Sequence, residues 1–401
     1  MAHPPTLRRL TIFEAVIRTG SAGAAAHQIG LSQPAVTHAM VKLEGEVGSR
    51  LFDRGPGGSL PTRAGRILHR RVERMLRRTE LAVEEASLGA PTPSNARLAS
   101  RNLTTAQVRA HVAIAGQGSF RAAASHLGVA EPSLHRAARG LERGVGSALY
   151  RRTPQGVSAN AAGLIFAGRL RLALYEIDQA LDELEADRDA TGGRVRVGCL
   201  PLTPKPVIAR TVGQLLRAFP SVRVELEEAP HDALVAGLRI GELDMVVGAL
   251  RRPRLGGDLV ERPLFDDPHV VVARAGHPLV GGAALQEADL ARFPWVAPPA
   301  HLPRRAFVED LFARLPTRPR IVAETSSLTI MTAILAESDC LTLLSRSQAT
   351  HEFQRAGLIM LPMRFEAPAR IVGVTTRSGW LPTKVQRRFL TLLRQECRRA
   401  G

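Results

Sequence analysis

"GLSQPAVTHAMVKLEGEVG" runs from Gly30 to Gly48 and decides the fold of the N-terminal part of this 401-residue chain. Gly30 can take positive φ at little steric cost, so it ends one helix. Ser32 caps the next. Pro34 falls in the first turn, where no backbone N–H bond is lost. Val36, Met40, Leu43 and Val47 then recur at spacings of four, three and four and make one apolar stripe. Pro34, Thr37, His38, Val41 and Lys42 occupy the opposite face. Just upstream, Ser21 caps a short helix whose Ala24, Ala25 and Ala26 let a neighbour approach closely. A small-residue helix, a capped turn and a helix with a polar outer face together are helix–turn–helix grammar.

The same grammar returns as "GVAEPSLHRAARGLERGVG" at Gly128 to Gly146. An offset of 98 residues holds without a gap from Gly20 and Gly118 to Gly65 and Gly163. Identities along it include Ala24 to Ala26 with Ala122 to Ala124, Pro34 with Pro132, Leu43-Glu44 with Leu141-Glu142, and Arg54 with Arg152. Two copies are too few for a solenoid and read as a duplicated domain. In copy two the apolar stripe is Leu134, Ala138, Leu141 and Val145, and the outer face is Pro132, His135, Arg136, Arg139 and Arg143.

Such outer faces suit the major groove of duplex DNA. Arginine grips phosphate or a guanine edge, Gln33 can pair bidentately with adenine, and Thr37 can meet a base or a phosphate. "LFDRGPGGSLPTRAG" and "LYRRTPQGVSANAAG" follow the two helices and place Gly- and Pro-rich turns between short extended pieces. They predict β-wings, with Arg54 and Arg152 reaching the DNA backbone or minor groove. The net charge of +17 fits a polyanion partner, but the basic excess persists into the C-terminal half and alone decides little.

The segment "GSAGAAAHQIGLSQPAVTHAMVKLEGEVGSRLFDRGPGGSLPTRAG" resembles the winged helix–turn–helix of LysR-type transcriptional regulators. The Ser-Gln-Pro-Ala turn, the Leu-Glu, the Leu-Phe-x-Arg and the Thr-x-Ala-Gly all stand in order. The resemblance extends over the whole chain, with one departure: the family normally has a single such domain, and this sequence has two. It implies DNA contacts from Ser32, Gln33, Pro34, Thr37, His38, Lys42, Arg54 and Thr62, and in copy two from His135, Arg136, Arg139 and Arg152.

The copies differ chemically. Ala130 stands where copy one has the Ser32 cap, a loss of about 1 kcal/mol at that helix start. Glu131 replaces Gln33, and Asn160 replaces Thr62. Both copies are expected to fold; whether both bind DNA is open at this point. Copy one is followed by an imperfect apolar pattern, Ile67, Val72, Met75, Leu76, Leu81 and Val83, broken by an expected interdomain loop at Pro91 to Asn95. Copy two is followed by Leu170, Leu174, Ile177, Leu181 and Leu184, a heptad seam over about two heptads. The resemblance implies that this linker helix pairs two subunits, as a homodimer or homotetramer. The alternative is a helix packed on its own chain.

From Arg194 the rhythm changes to alternating strands and helices: "RVRVGCLP", "VRVELEEA", "GELDMVVGAL", "HVVVARAGHPL", "WVAPP", "RIVAETSS", "CLTLLS" and "RIVGVTTRSG". That alternation predicts a parallel α/β sheet. The expected organisation is a DNA-binding domain with linker helix at 1–90, a second at 97–190, and a two-lobed α/β effector domain at 193–401. Lobe one takes about 193–270 and 371–401, lobe two about 271–370. The resemblance is to periplasmic-binding-protein-like domains, in which ligands sit between the lobes at helix N-termini. It implies an effector cleft lined by Pro201, Leu202 and Thr203 on one side and Thr325, Ser326 and Ser327 on the other, with Thr203 and Ser327 binding an anion. An organic acid or a sugar-derived acid is the expected effector class, and RNA polymerase a further partner.

Other classes fare worse. There is no P-loop, no Gly-x-Ser-x-Gly, no His-Glu-x-x-His and no paired-carboxylate motif, so no enzymatic reaction, metal or cofactor is expected. His231 and His269 stand isolated. Cys199, Cys340 and Cys397 match no metal or redox spacing and are expected as apolar fillers in a reducing cytoplasm. A small-molecule receptor that kept the lobes without regulating DNA is the alternative, opposed by the intact copy-one motif and by an N-terminus unlike a signal peptide. No apolar run approaches the roughly 20 residues that span a bilayer, so no membrane partner is expected.

Overall fold

The computed structural model describes residues 5–55, 58–87, 93–154, 156–189, 191–251, 256–281, 285–350, 357–363 and 369–400. The first module contains α1 (Leu7–Thr19), α2 (Ala22–Ile29), α3 (Gln33–Val47), a wing of β1 (Phe52–Gly55) and β2 (Gly58–Pro61), and the long α4 (Arg63–Ala86). After α5 (Pro93–Asn102) the second module repeats it as α6 (Thr105–Gln117), α7 (Phe120–Leu127), α8 (Glu131–Val145), β3 (Tyr150–Thr153), β4 (Gly156–Ala159) and α9 (Ala161–Arg188). The loop expected at Pro91 to Asn95 is therefore corrected: from Pro93 the chain is already helical, with proline at the first position, where its missing N–H is harmless. Positions 88–92 lie outside the described residues.

Local chemistry sets these boundaries. Gly30 and Gly128 end α2 and α7 with φ of 68° and 62°. Ser32 Oγ accepts from Ala35 N, whereas Ala130 offers α8 no side-chain cap. Val36, Met40, Leu43 and Val47, and in copy two Leu134, Ala138, Leu141 and Val145, are the buried residues of α3 and α8. Glu44 Oε1 accepts from Leu51 N at 2.7 Å and Phe52 N at 3.3 Å, fastening the wing to α3. Glu142 does the same for Leu149 and Tyr150. A Cβ on Gly65 would lie 2.2 Å from the Leu51 carbonyl oxygen, and one on Gly163 equally close to that of Leu149. Only glycine allows that approach. The cores have diverged at one spot. Phe13 packs on Phe52 in copy one, while the equivalent His111 hydrogen-bonds the equivalent Tyr150 in copy two.

The two long helices α4 and α9 pack against each other, antiparallel, within the chain. Leu170, Ile177 and Leu184 are buried in one core with Leu68, Val72 and Met75. The heptad seam is thus covered by the chain's own first copy, which corrects the expectation that it pairs two subunits. The arrangement is pseudo-twofold. Arg71 bonds Glu183 at 2.7 Å, and their offset mates Arg169 and Glu85 pair at 3.0 Å. Mates also meet each other: Leu7 N donates to Thr105 Oγ1 at 2.9 Å, and Arg78 pairs with Glu176 at 3.1 Å.

Among the described residues the C-terminal half holds three sheets, distributed over two lobes. The first has strand order β6 (Ser221–Glu228), β5 (Gly192–Cys199), β7 (Met245–Ala249), β14 (Arg370–Arg377), β8 (Leu259–Asp267). β5 runs parallel to β6 and β7, as the alternation predicts, but β14 is antiparallel to β7 and β8, so the sheet is mixed. The second lobe contains the antiparallel β12 (Thr342–Ser345), β9 (His269–Arg274) and β13 (Leu358–Met360), beside the parallel pair β10 (Trp295–Ala297) and β11 (Ile321–Glu324). Helices α10 (Lys205–Ala218), α11 (His231–Arg239), α12 (Arg305–Phe312), α13 (Leu328–Ala336) and the terminal Lys384–Ala400 cover the sheets. No helix among the described residues is long and apolar enough to cross a membrane.

Candidate nucleic-acid interface and interlobe cleft

On α3, Ser32, Gln33, Pro34, Thr37, His38 and Lys42 are all exposed. The buried stripe on the opposite side anchors the helix, so this face is free to enter a groove. Val41, on the same face, is 56% exposed, an apolar surface of the kind that meets a thymine methyl. On α8, Arg136, Arg139 and Arg143 are exposed, as is Arg152 on the wing. The Arg54 side chain lies outside the described residues.

Several candidates also bond within the protein, Ser32 as the cap of α3 and Arg136 to Ser133 Oγ among them. Thr62 caps α4, accepting from Gly65 N at 3.0 Å and donating to the Arg50 carbonyl at 2.7 Å. Asn160 makes the equivalent pair of bonds, to Gly163 N and the Ala148 carbonyl, so the Thr-to-Asn exchange between copies conserves a structural device. His135 stacks on Phe120 with ring centroids 4.3 Å apart and lies 3.6 Å from Glu131.

Between the lobes, the structure brings together Leu202, His269, Pro298, Arg304, Phe307, Ser345, Gln348 and Arg370 around a cavity of about 30 Å³. The Leu202 carbonyl accepts from Gln348 Nε2 at 3.1 Å and from Arg370 at 3.2 Å, closing the cleft across the lobes. Asp267 bonds Arg370 at 2.7 Å and Ser347. Burial pushes the Asp267 pKa up, but Ser347 and the Arg370 charge more than offset it and hold it below the usual carboxylate range. Arg304 donates to the Thr325 and Ser326 carbonyls. Burial, and then the Arg370 charge, hold its pKa below the ordinary guanidinium value. Ser345 Oγ and Arg370 Nε are buried without a hydrogen-bond partner.

Of the residues expected here, only Leu202 lines this cavity. Thr203 Oγ1 donates to the Val247 carbonyl at 2.9 Å, and Ser327 caps α13. Pro201 and Ser326 are exposed, and Thr325 is half-buried. Arg304 and Arg370 were missed because they are far apart in sequence and carry no motif. Burial raises the thiol pKa of Cys199 to about 11 and of Cys397 to about 12.

The two N-terminal modules and the α/β half are joined at the middle of α9. The Tyr175 hydroxyl donates to Asp244 Oδ1 at 2.8 Å and accepts from Trp380 Nε1 at 2.9 Å, and Arg377 lies over its ring. Arg71 and Arg74 donate to the Leu381 and Gly379 carbonyls.

Comparison with known proteins agrees with both halves. The family model described as bacterial regulatory helix-turn-helix protein, lysR family, matches twice, at residues 7–66 and 105–164. The model for the LysR substrate binding domain matches residues 188–398. The HTH-type transcriptional regulator GalR of Pseudomonas putida is 31% identical over 393 residues, 98% of this chain and 97% of that protein. The dual regulator OxyR of Escherichia coli is 28% identical over 270 residues, covering 67% of this chain and 87% of its own length. Among solved structures, a full-length OxyR variant from Pseudomonas aeruginosa superposes with a TM-score of 0.53 at 22% identity, covering 74% of this chain and 95% of that one.

Proposed function

This chain belongs to the LysR family of bacterial DNA-binding transcriptional regulators, and from that premise we propose that both of its reading helices enter DNA and that an anionic small molecule controls them from between the lobes. The family is regulatory rather than enzymatic. The observation that carries the DNA reading is a pair of helices, each held by a buried stripe, each presenting an exposed polar face. Ser32, Gln33, Pro34, Thr37, His38 and Lys42, with the Arg54 wing, read one half-site. Arg136, Arg139 and Arg152 read the other, in a more phosphate-directed manner. Thr62 and His135 act by positioning their elements.

For the effector, Arg304 and Arg370 supply two guanidiniums around one cavity, and Ser345 supplies an unspent hydroxyl. A carboxylate of an organic or sugar-derived acid fits that donor set. A space of about 30 Å³ holds a water and no organic acid. Entry therefore parts the lobes and breaks the Gln348–Leu202 bond, with Pro201, Thr203 and the Thr325 to Ser327 segment forming the walls. Oligomers of this chain, as homodimer or homotetramer, must meet through surfaces other than the α4–α9 seam, and RNA polymerase is the partner of the DNA-bound form.

The test is a footprint of the full chain on its own upstream DNA, with and without candidate acids. Protection that shifts with one acid, and an Arg304→Met variant that still protects but no longer responds, is the expected result. Binding insensitive to salt would sink the DNA reading, because phosphate contacts release counterions. An unchanged acid response in Arg304→Met would sink the cleft reading.

A further inference from the structure

We infer that one chain is by itself a complete two-headed reader of an asymmetric DNA site, because the seam between its two copies is built for unlike partners. The inference rests on the DNA reading above and adds what kind of site is read.

The charge pattern carries it. Glu176 is buried on α9 and faces Arg71, Arg74 and Arg78 of α4 at 2.9, 3.0 and 3.1 Å. Under the 98-residue offset, the counterpart of Glu176 is Arg78 itself. If two first copies paired, an arginine would replace that glutamate and four guanidiniums would crowd one buried point. If two second copies paired, Glu176 would face Glu176, and of the three arginines only Arg169, the counterpart of Arg71, would remain, with Leu172 and Glu176 in place of Arg74 and Arg78. Either like pairing brings two desolvated like charges together and loses the three-arginine match to Glu176, which costs more than the mixed pair. The helices are opposite in sign as wholes: α4 carries seven Arg against four Glu, and α9 three Arg against six Asp and Glu. A true twofold interface repeats one residue on its axis. This one holds Arg78 on Glu176 and Leu7 on Thr105, a pairing of diverged mates.

The connection is packed as well. In α5, Ala96 is buried and Arg97 pairs with Glu80 of α4 at 3.1 Å. Each long helix ends on the other copy: Ser87 Oγ donates to the Val145 carbonyl behind α8, and Arg188 donates to the Gly48 carbonyl behind α3. The pseudo-twofold seam therefore orients both reading helices within one chain. Related heads read half-sites of inverted orientation. Since α3 presents Gln33, Thr37, His38 and Lys42 while α8 presents Glu131, Arg136, Arg139 and Arg143, the two halves read differ in sequence.

Two arms test this on the full-length chain. In the first, Arg63→Cys and Asp187→Cys, an exposed ion pair of the seam, are joined by a short bismaleimide. Glu85→Cys with Arg169→Cys at the far end is the second variant pair. Each double variant is expected to cross-link within the chain, and mixtures of the single variants are expected to give no cross-linked dimer. Dimers from the mixtures, or uncross-linked double variants, would overturn the inference. In the second arm, the chain selects duplexes from a random-sequence library. Enrichment of two unlike half-sites in opposite orientation, saturated at one chain per pair of half-sites and bound at least tenfold more weakly by Arg136→Ala/Arg139→Ala, supports the inference. A symmetric palindrome, a lone half-site, or two chains per pair of half-sites overturns it while leaving DNA binding intact. No enrichment at all would remove the DNA reading itself, and with it this inference.

Discussion

Replacing Glu176 by Gln should destabilise the paired modules far more than any exposed charge change. Glutamine keeps the shape and one acceptor oxygen, so the change isolates the charge. Glu176 serves three arginines, and Arg71 among them is fully buried. Burial alone pulls the Arg71 pKa down, but Glu183 and Glu176 more than offset it and hold it above the ordinary value. Breaking such a buried pair costs about 3–5 kcal/mol. Glu183 stays at 2.7 Å, and Arg74 and Arg78 are partly exposed and can turn to water, so the lower end applies, about 3 kcal/mol. With a urea slope of about 2 kcal/mol per molar, the midpoint should fall by about 1.5 M. Far-UV circular dichroism is dominated by the helical half, Trp295 in the second-lobe core reports the α/β half, and Trp380, bonded to Tyr175 of α9, reports the junction between them. Glu85→Gln is the control, since its pair with Arg169 is about half exposed and worth at most about 1 kcal/mol. Added salt should erase the small Glu85 effect and leave the Glu176 effect in place. If Glu176→Gln lost no more than Glu85→Gln, the seam would not be held by a buried mixed-charge knot, and the reasoning would fail.

Three further perturbations check other parts of the account. Burial lowers the His111 pKa to about 4 from an ordinary 6.5, despite its bond to the Gly163 carbonyl. The unfolded chain thus binds a proton first, and stability present above pH 6.5 is lost as pH falls towards 4. That amounts to about 3 kcal/mol, and amide exchange in α6 should lose the dependence in His111→Phe/Tyr150→Phe, which copies the first module's Phe13–Phe52 pair. Gly65→Ala must push the Leu51 carbonyl aside and should cost about 3 kcal/mol, whereas Gly45→Ala, with open space around it in mid-helix, should gain up to about 1 kcal/mol in thermal unfolding. Tyr175→Phe removes both hydroxyl bonds to the effector half, so acid-dependent changes in the footprint should weaken while DNA affinity without acid is retained; an unaltered acid response would show that signals bypass α9.

Much of the local architecture was legible because caps, glycine breaks and 3.6-residue stripes are properties of short segments. Ser32, Pro34 and the Val36–Val47 stripe needed nothing from elsewhere in the chain. The same holds for strands such as Met245–Ala249, whose apolar run has no helical period. β8 escaped notice because "LVERPLFDD" alternates poorly and carries Pro263 on an edge strand, where the lost N–H goes unneeded.

Periodicity says which face of a helix is apolar and leaves open what covers it. The Leu170–Leu184 seam could be read from the residues alone; that α4 of the same chain fills it follows from the tertiary structure. The duplication was plain in sequence, but the divergence of Arg78 and Glu176 acquires meaning only when the fold sets these mates face to face. Arg304 and Arg370 likewise converge because β14 returns antiparallel beside β7 and carries Arg370 to the Leu202 loop. Pairing across long chain separations is decided by packing and Coulomb energy summed over the whole fold, and no short window of sequence contains that sum.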